Sequence, residues 1–281
     1  MNGLKMMKDL VSNMKPGEGI LAEKIDAGGV RTLVLKAKGK TSEEKTPALI
    51  WIHGGGYFLG MKEMAYLGRA ADLAGKYGVA VFSPGYRLAF NKPYPAALKD
   101  CWTVLRYMIR NADELGIDKN RVMVGGESAG GGLTAALCML ARDKGIKIAW
   151  QFPLYPMLSY LDTETSKDNH GRVWNTRRNH LGWRMYLGKD YGREVSAYAS
   201  PLMQDDYSGL PPAYTFVGDG EPFYAETLEY IKKLQDAGVE ASADVYHTDM
   251  HAFDMLDPEG EESKKAIDGF NKMFEYALSK I

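Results

Sequence analysis

Short runs of β-branched and aromatic residues alternate along the chain with longer stretches whose apolar residues recur every three to four positions. The first kind reads as buried strand, the second as amphipathic helix. Strands are expected at Arg31–Lys36, Ala48–His53, Val79–Ser83, Arg121–Gly125, Ile146–Phe152, Ala213–Val217 and Ala241–Tyr246. Helices are expected at Met64–Lys76, Ala96–Asn111, Ala129–Lys144, Tyr224–Ala237 and Ser263–Ser279. In the fourth helix Tyr224, Leu228, Ile231 and Leu234 share one face, and Gly238 follows as a stop. In the fifth, Ile267, Phe270, Phe274, Ala277 and Leu278 repeat the pattern. Such alternation builds an α/β fold, a mostly parallel central sheet with helices on both faces.

Two regions break the rhythm. Residues 1–24 carry a short Met/Leu helix pattern that ends at Pro16-Gly17. Residues 156–200 hold no strand pattern but are rich in aromatics: Tyr160, Trp174, Trp183, Tyr186, Tyr191 and Tyr198. The second stretch is too long for a plain connection in a compact domain, so it is expected to be a functional excursion such as a lid. The chain shows neither an internal repeat nor a low-complexity tract.

Composition narrows the partners. The 281 residues carry 35 Lys+Arg against 36 Asp+Glu, a formal net charge of −1. A nucleic-acid or anionic-membrane partner requires a basic excess, so neither is expected. With 45% hydrophobic and 25% charged residues this is the mixture of a soluble globular protein. A chain of this length buries roughly 75% of its unfolded surface and needs no disulfide or metal staple. The longest apolar stretch, Leu133 to Ala141, is broken by Thr134 and falls far short of a membrane span. The N-terminus has no uninterrupted apolar segment of the signal-peptide kind. Cys101 and Cys138 lie within helical apolar patterns and read as buried free thiols. The cytoplasm is the expected compartment.

The sharpest chemical signal is Gly126-Glu127-Ser128-Ala129-Gly130, directly after a strand and directly before an alanine-rich helix. So tight a reversal strains the backbone, and the flanking glycines remove the Cβ clashes that would forbid it. It presents the serine at the carboxyl end of the sheet, at a helix N-terminus that favours developing negative charge. A phosphate loop is excluded, because Gly131 stands where the lysine belongs. The competing plain reading is a strand–helix turn in which Ser128 only caps the helix. Upstream, His53-Gly54-Gly55-Gly56-Tyr57 ends a strand. Three glycines let a loop fold back with its amides inward, and with the Ala129 N–H they would complete an oxyanion hole.

A serine nucleophile needs a base. Of the five histidines, His170 and His180 lie in the aromatic excursion, and His53 precedes the glycines, where it is expected to brace the loop. His251 sits in a loop after the last predicted strand, where the order serine, acid, histidine places the base. His247 and His251 resemble a two-histidine zinc spacing, but the glutamate of H-E-x-x-H is absent and the segment begins on a strand, so no metal is expected. The acid should come from the loop Val217-Gly218-Asp219-Gly220-Glu221-Pro222-Phe223. Spacing does not separate Asp219 from Glu221.

Together these residues resemble the hormone-sensitive-lipase-like branch of the α/β-hydrolases, whose bacterial members are mostly carboxylesterases. The resemblance runs from about Ala48 onward. It is carried by His53-Gly54-Gly55-Gly56, Tyr86-Arg87-Leu88, Tyr94-Pro95-Ala96-Ala97, Gly126–Gly130, Ser200-Pro201-Leu202, Leu210-Pro211-Pro212 and His251-Ala252-Phe253. It implies one α/β-hydrolase domain over 1–281, with cap elements at about 1–24 and 156–200. It places the nucleophile on Ser128, the base on His251 and the oxyanion donors on Gly54, Gly55 and Ala129. The acid, usually an aspartate before Pro-Leu, falls on Glu221 before Pro222-Phe223, with Asp219 as its rival. Tyr57, Trp174, Trp183 and Tyr186 are the candidates for walling the substrate pocket; aromatics at such spacing are also common in a lid core. The implied activity is hydrolysis of a small ester, acetyl to butyryl rather than long-chain, without cofactor and compatible with a homodimer. An amidase or deformylating hydrolase with the same triad is the rival reaction, and a ligand-binding protein on a catalytically dead scaffold the rival class.

Overall fold

The computed structural model describes residues 15–39, 45–67 and 69–281. The chain opens on strand β1 (Ile20–Asp26), which pairs antiparallel with β2 (Arg31–Ala37). Then follow β3 (Thr46–Ile52), helix α1 (Arg69–Tyr77), β4 (Ala80–Pro84), α2 (Ala96–Arg110) and the one-turn α3 (Ala112–Leu115). Strand β5 (Ile117–Glu127) leads directly into α4 (Ala129–Asp143), and β6 (Trp150–Leu154) comes next. A long excursion containing α5 (Thr176–Leu187) separates β6 from β7 (Ala213–Gly218). The chain ends with α6 (Tyr224–Asp236), β8 (Ala241–Tyr246), the short α7 (Phe253–Leu256) and α8 (Glu261–Lys280).

The eight strands form one sheet in the order β1-β2-β4-β3-β5-β6-β7-β8, antiparallel at β1/β2 and β2/β4 and parallel from β4 onward. Strands β3, β4, β6 and β7 and the second half of β5, Val122–Glu127, are buried on both faces, as a parallel sheet sandwiched by helices requires. Cys101, Val104 and Leu105 of α2, Leu133 and Leu137 of α4, and Tyr230 and Leu234 of α6 fill the core on one face. Leu73 and Ala74 of α1 with Phe270 and Phe274 of α8 fill the other. Because all parallel strands point the same way, the turns after β3, β5, β7 and β8 open at one end of the sheet. The serine, histidine, carboxylate and glycine loop described below come from those turns.

Several sequence expectations need correction. Residues 20–24, expected in an N-terminal cap element, belong to β1; the Met/Leu pattern at 1–14 lies outside the described residues. The helix expected at Met64–Lys76 is split into a 3-10 turn, Lys62–Tyr66, and α1 from Arg69. The strand expected from Ile146 begins at Trp150, and β5 begins at Ile117 rather than Arg121. Residues 156–200 contain no strand, in keeping with their pattern, but do hold α5. Cys101 and Cys138 are buried free thiols. Among the described residues no helix is long and apolar enough to cross a membrane.

Candidate active site

Ser128 stands between β5 and α4 with φ 57° and ψ −119°, a conformation costly for a residue bearing a Cβ. It is held there from both sides. The Ser128 N–H donates to the Leu154 carbonyl at the end of β6, and the Met157 N–H donates to the Ser128 carbonyl, both at 3.0 Å. Gly130 makes the turn sterically feasible, since any Cβ there would be driven into the Ile52 and His53 carbonyls. The Ala129 N–H is the first of α4, one of the donors that a helix start leaves without an intrahelical acceptor.

His251 reaches Ser128 across the end of the sheet. Its Nε2 lies 2.8 Å from Ser128 Oγ, and its Nδ1 is bonded to Glu221 Oε2. The other carboxylate oxygen, Oε1, accepts the Gly218 N–H at 2.9 Å, so the turn after β7 clamps Glu221. All three side chains are withdrawn from solvent: Ser128 is 6% exposed, His251 4% and Glu221 0%. Burial pushes the Glu221 carboxyl above its ordinary pKa, while the adjacent imidazole and the Gly218 amide pull it back. The imidazole is packed edge-on against Phe223 and Tyr155, with ring centroids at 5.0 and 5.1 Å. Asp219, the rival carboxylate, points elsewhere: its Oδ2 lies 2.8 Å from Nδ1 of the exposed His247.

The glycine loop after β3 folds over the same point. A Cβ on Gly54 would lie 3.3 Å from Ser128 Cβ, which places that residue against the turn. Neither the Gly54 nor the Gly55 N–H has a protein acceptor among the described residues. His53 braces the loop instead of joining the site. Its Nδ1 lies 2.8 Å from the Gly54 carbonyl oxygen, its ring stacks on Tyr86 at 4.2 Å, and burial pulls its pKa down to about 4.

A profile of the α/β-hydrolase fold matches residues 49–255. The chain belongs to the α/β-hydrolase family, in its hormone-sensitive-lipase-like branch. It is 33% identical over 205 residues to an arylesterase of Saccharolobus solfataricus, covering 72% of this chain and 66% of that one. It is 34% identical over 206 residues to the carboxylic ester hydrolase LipN of Mycobacterium tuberculosis, covering 69% of this chain and 53% of that one. The chain thus spans less than two thirds of the length of these two relatives. Among solved structures, a bacterial heroin esterase superimposes with a TM-score of 0.86 at 29% identity, over 98% of this chain and 87% of that one.

The aromatic candidates separate into two groups. Tyr57, Trp183 and Tyr186 are buried against one another: Tyr57 stacks on Tyr186 at 3.8 Å and meets Trp183 at 5.4 Å. The Tyr57 hydroxyl donates to the Met157 carbonyl at 2.9 Å. Trp174 alone approaches the histidine, its ring centroid 6.4 Å from that of His251 and 6.5 Å from Phe223. The segment carrying it is tied to the acid loop, with Asn169 Nδ2 donating to Gly220 O at 3.0 Å and Thr165 Oγ1 to Pro222 O at 3.0 Å. His170 and His180 sit on the outside of this excursion beside Asp168 and Asp162. Among the described residues no group of three or more His, Cys, Asp or Glu side chains is placed to hold a metal ion.

Sequence reasoning missed the polar set behind the elbow. Glu127, next to the serine, accepts the Trp51 indole N–H at 2.7 Å, and Arg69 is paired with Asp254, three residues past His251. Only position 127, inside the Gly-x-Ser-x-Gly pattern, carried any local signal. Arg69 and Asp254 are 185 residues apart in the chain.

Proposed function

We propose that the protein is a carboxylesterase for short-chain acyl esters, working through Ser128, His251 and Glu221 and a covalent acyl-enzyme. One observation carries this reading: the serine hydroxyl and a buried carboxylate engage opposite nitrogens of one imidazole. The esterases among its relatives support the same reaction class.

Ser128 Oγ attacks the ester carbonyl carbon as its proton passes to His251 Nε2. The Nδ1–H faces Glu221, so the carboxylate selects the tautomer whose Nε2 is free to accept, and it stabilises the imidazolium that forms. The carbonyl oxygen becomes an oxyanion, received by the N–H groups of Gly54, Gly55 and Ala129. As the intermediate collapses, the bond to the alcohol oxygen breaks and His251 returns its proton to the leaving alkoxide. Water then attacks the acyl-enzyme with the same base, and the carboxylic acid leaves Ser128 regenerated. The near-complete burial of the three side chains keeps these charge interactions unscreened. These steps draw on side chains and backbone amides of the chain alone. Residues 156–200 serve as the cap, and Trp174 beside His251 confines the acyl group to a few carbons.

The test is a hydrolysis panel of acetyl, butyryl, octanoyl and dodecanoyl esters, run with Ser128→Ala and an organophosphonate. Acetyl and butyryl esters are the expected substrates, Ser128→Ala abolishes turnover with the fold intact, and the phosphonate labels Ser128. Full activity in the alanine variant sinks the mechanism; efficiency rising through dodecanoyl sinks the short-chain assignment.

A further inference from the structure

Behind the serine turn, on the face covered by α1 and α8, lies a set of buried polar side chains that the proposed chemistry leaves unused: Arg69, Glu127, Asp254 and Tyr155. Arg69 opens α1, and its Nη2 is bonded to Asp254 Oδ2 in α7. The guanidinium is also packed 4.3 Å from the Phe270 ring centroid and 5.2 Å from that of Phe216, so it has little freedom to move.

Asp254 lies three residues beyond His251. Between them Ala252 adopts φ +58°, the left-handed region that a residue with a Cβ enters at a cost, and the chain reverses sharply there. A turn of this kind persists only if its surroundings impose it. On the far side of the turn the Arg69–Asp254 bond ties α7 to α1 and the Ser263 hydroxyl, donating to the Phe253 carbonyl at 3.0 Å, ties it to α8, while the His251 bonds to Ser128 and Glu221 fix the near side.

As a device for stability the pair is poor. Both side chains are withdrawn from water, yet one bond joins them; among the described residues Arg69 Nε has no hydrogen-bond partner, and the further polar neighbour of Asp254 is the Tyr155 hydroxyl. A well-packed apolar pair in such a place is often as stable or more so. What the ion pair supplies that an apolar pair does not is direction.

We propose that Arg69 and Asp254 are positioning residues: their bond, from α1 to α7, holds the turn that presents His251, and so keeps the imidazole in line between Ser128 and Glu221. The proposal rests on the catalytic roles proposed above. A merely structural pair makes a different forecast, in which its loss lowers stability while the folded enzyme turns over normally.

Two variants separate these forecasts: Asp254→Asn, and the charge-free double variant Arg69→Met/Asp254→Leu. Each is measured for kcat and KM on a butyryl ester, for Tm, and for the downfield proton resonance of the His251 Nδ1–H in the full-length protein. Asp254→Asn is expected to lower kcat about 100-fold, the order that a misplacement of about 1 Å costs, with KM nearly unchanged and the resonance shifted or broadened. The double variant is expected to recover thermal stability but not kcat, and its resonance stays displaced. Wild-type kcat together with an unmoved resonance in the double variant overturns the proposal. If the wild-type protein hydrolyses no ester, the carboxylesterase reading fails, and the resonance alone still decides whether the pair positions the imidazole.

Discussion

Gly56 and Trp174 occupy interlocking space: a Cβ at position 56 would collide with Trp174 Cη2 and lie 3.0 Å from Cζ2. The glycine, at φ +59°, belongs to the loop proposed to hold the oxyanion, and the tryptophan belongs to the excursion proposed as a cap. Their contact fixes the indole beside His251. If that indole is the wall that limits the acyl group, Trp174→Ala should raise kcat/KM for octanoyl relative to butyryl esters about tenfold. That is the gain from burying roughly two further methylenes at ~0.8 kcal/mol each. An unchanged preference across the ester series would place the wall elsewhere.

The same contact makes a second forecast, on coupling. Gly56→Ala strains a left-handed position and expels the indole at once, so its activity should fall for every chain length. With the indole already gone, the new methyl group loses its worst contact and is left against the edge of the Phe58 ring, at 3.1 Å. Adding Gly56→Ala to the Trp174→Ala variant should therefore cost less activity than adding it to the wild type. Strict additivity in a double-mutant cycle would mean that the alanine acts through the backbone alone.

Asp219 and Glu221 stand two residues apart, yet each serves a different histidine. Glu221 is buried and bonded to His251, whereas Asp219 lies beside the exposed His247 and raises its pKa through a hydrogen bond and its charge. Glu221→Gln keeps the volume but removes the charge, and its amide can favour the wrong imidazole tautomer. The matching amide in a serine-protease triad costs about 10⁴ in turnover, and a loss of that order is expected here. Asp219→Asn touches an exposed pair, which contributes little in water, so turnover should stay within about twofold of wild type. Side-by-side ester assays at pH 8 check both, and the reverse pattern would move the acid to Asp219.

The contrast between those carboxylates also marks how far the sequence could be read. Both precede the same helix in the same loop, and only the fold of that loop, with Gly218 N–H clamping Glu221 Oε1, tells them apart. Ser128 and His251 were legible because their signals are local: glycines around a serine between strand and helix, and a histidine after the last strand. Strand β1 was not, because as an edge strand it is buried only at Ile20, is partly covered at Ala22 and Ile25, and shows no sustained alternation. Helix α5 hid for a different reason. Its buried residues are Asn179, Gly182, Trp183, Tyr186 and Leu187, so two of the five are polar or bare, and Gly182 gives it the look of a loop. That glycine lets the helix approach the oxyanion loop, since a Cβ there would lie 3.1 Å from the Gly56 carbonyl oxygen. Arg69 and Asp254 are invisible for the opposite reason: each looks like an ordinary surface charge until the fold buries the two together.

Glu127 gives a forecast on stability that does not depend on the reaction. Burial pushes its carboxyl from an ordinary 4.5 up to about 7, with the Trp51 N–H and Arg69 opposing the rise and Asp254 adding to it. Between those two values the folded protein holds a proton at Glu127 that the unfolded chain has released. Folding is therefore favoured by protonation, and the contribution of this residue falls as pH rises from about 4.5 to 7, then levels off once the folded carboxyl has ionised. A rise from 4.5 to about 7 amounts to a penalty on the order of 3 kcal/mol at pH 8, absent near pH 4. Glu127→Gln keeps an acceptor for the Trp51 indole and cannot ionise. Its stability relative to wild type should therefore climb between pH 5 and pH 8, by most of that amount. Glu221 and Glu226, whose pKa values burial also raises, are common to both proteins and cancel in the difference. Urea midpoints measured for both proteins across this range check the forecast. Parallel curves would mean that the carboxyl at position 127 titrates alike in the folded and unfolded chain, and that burial beneath the serine turn leaves it unperturbed.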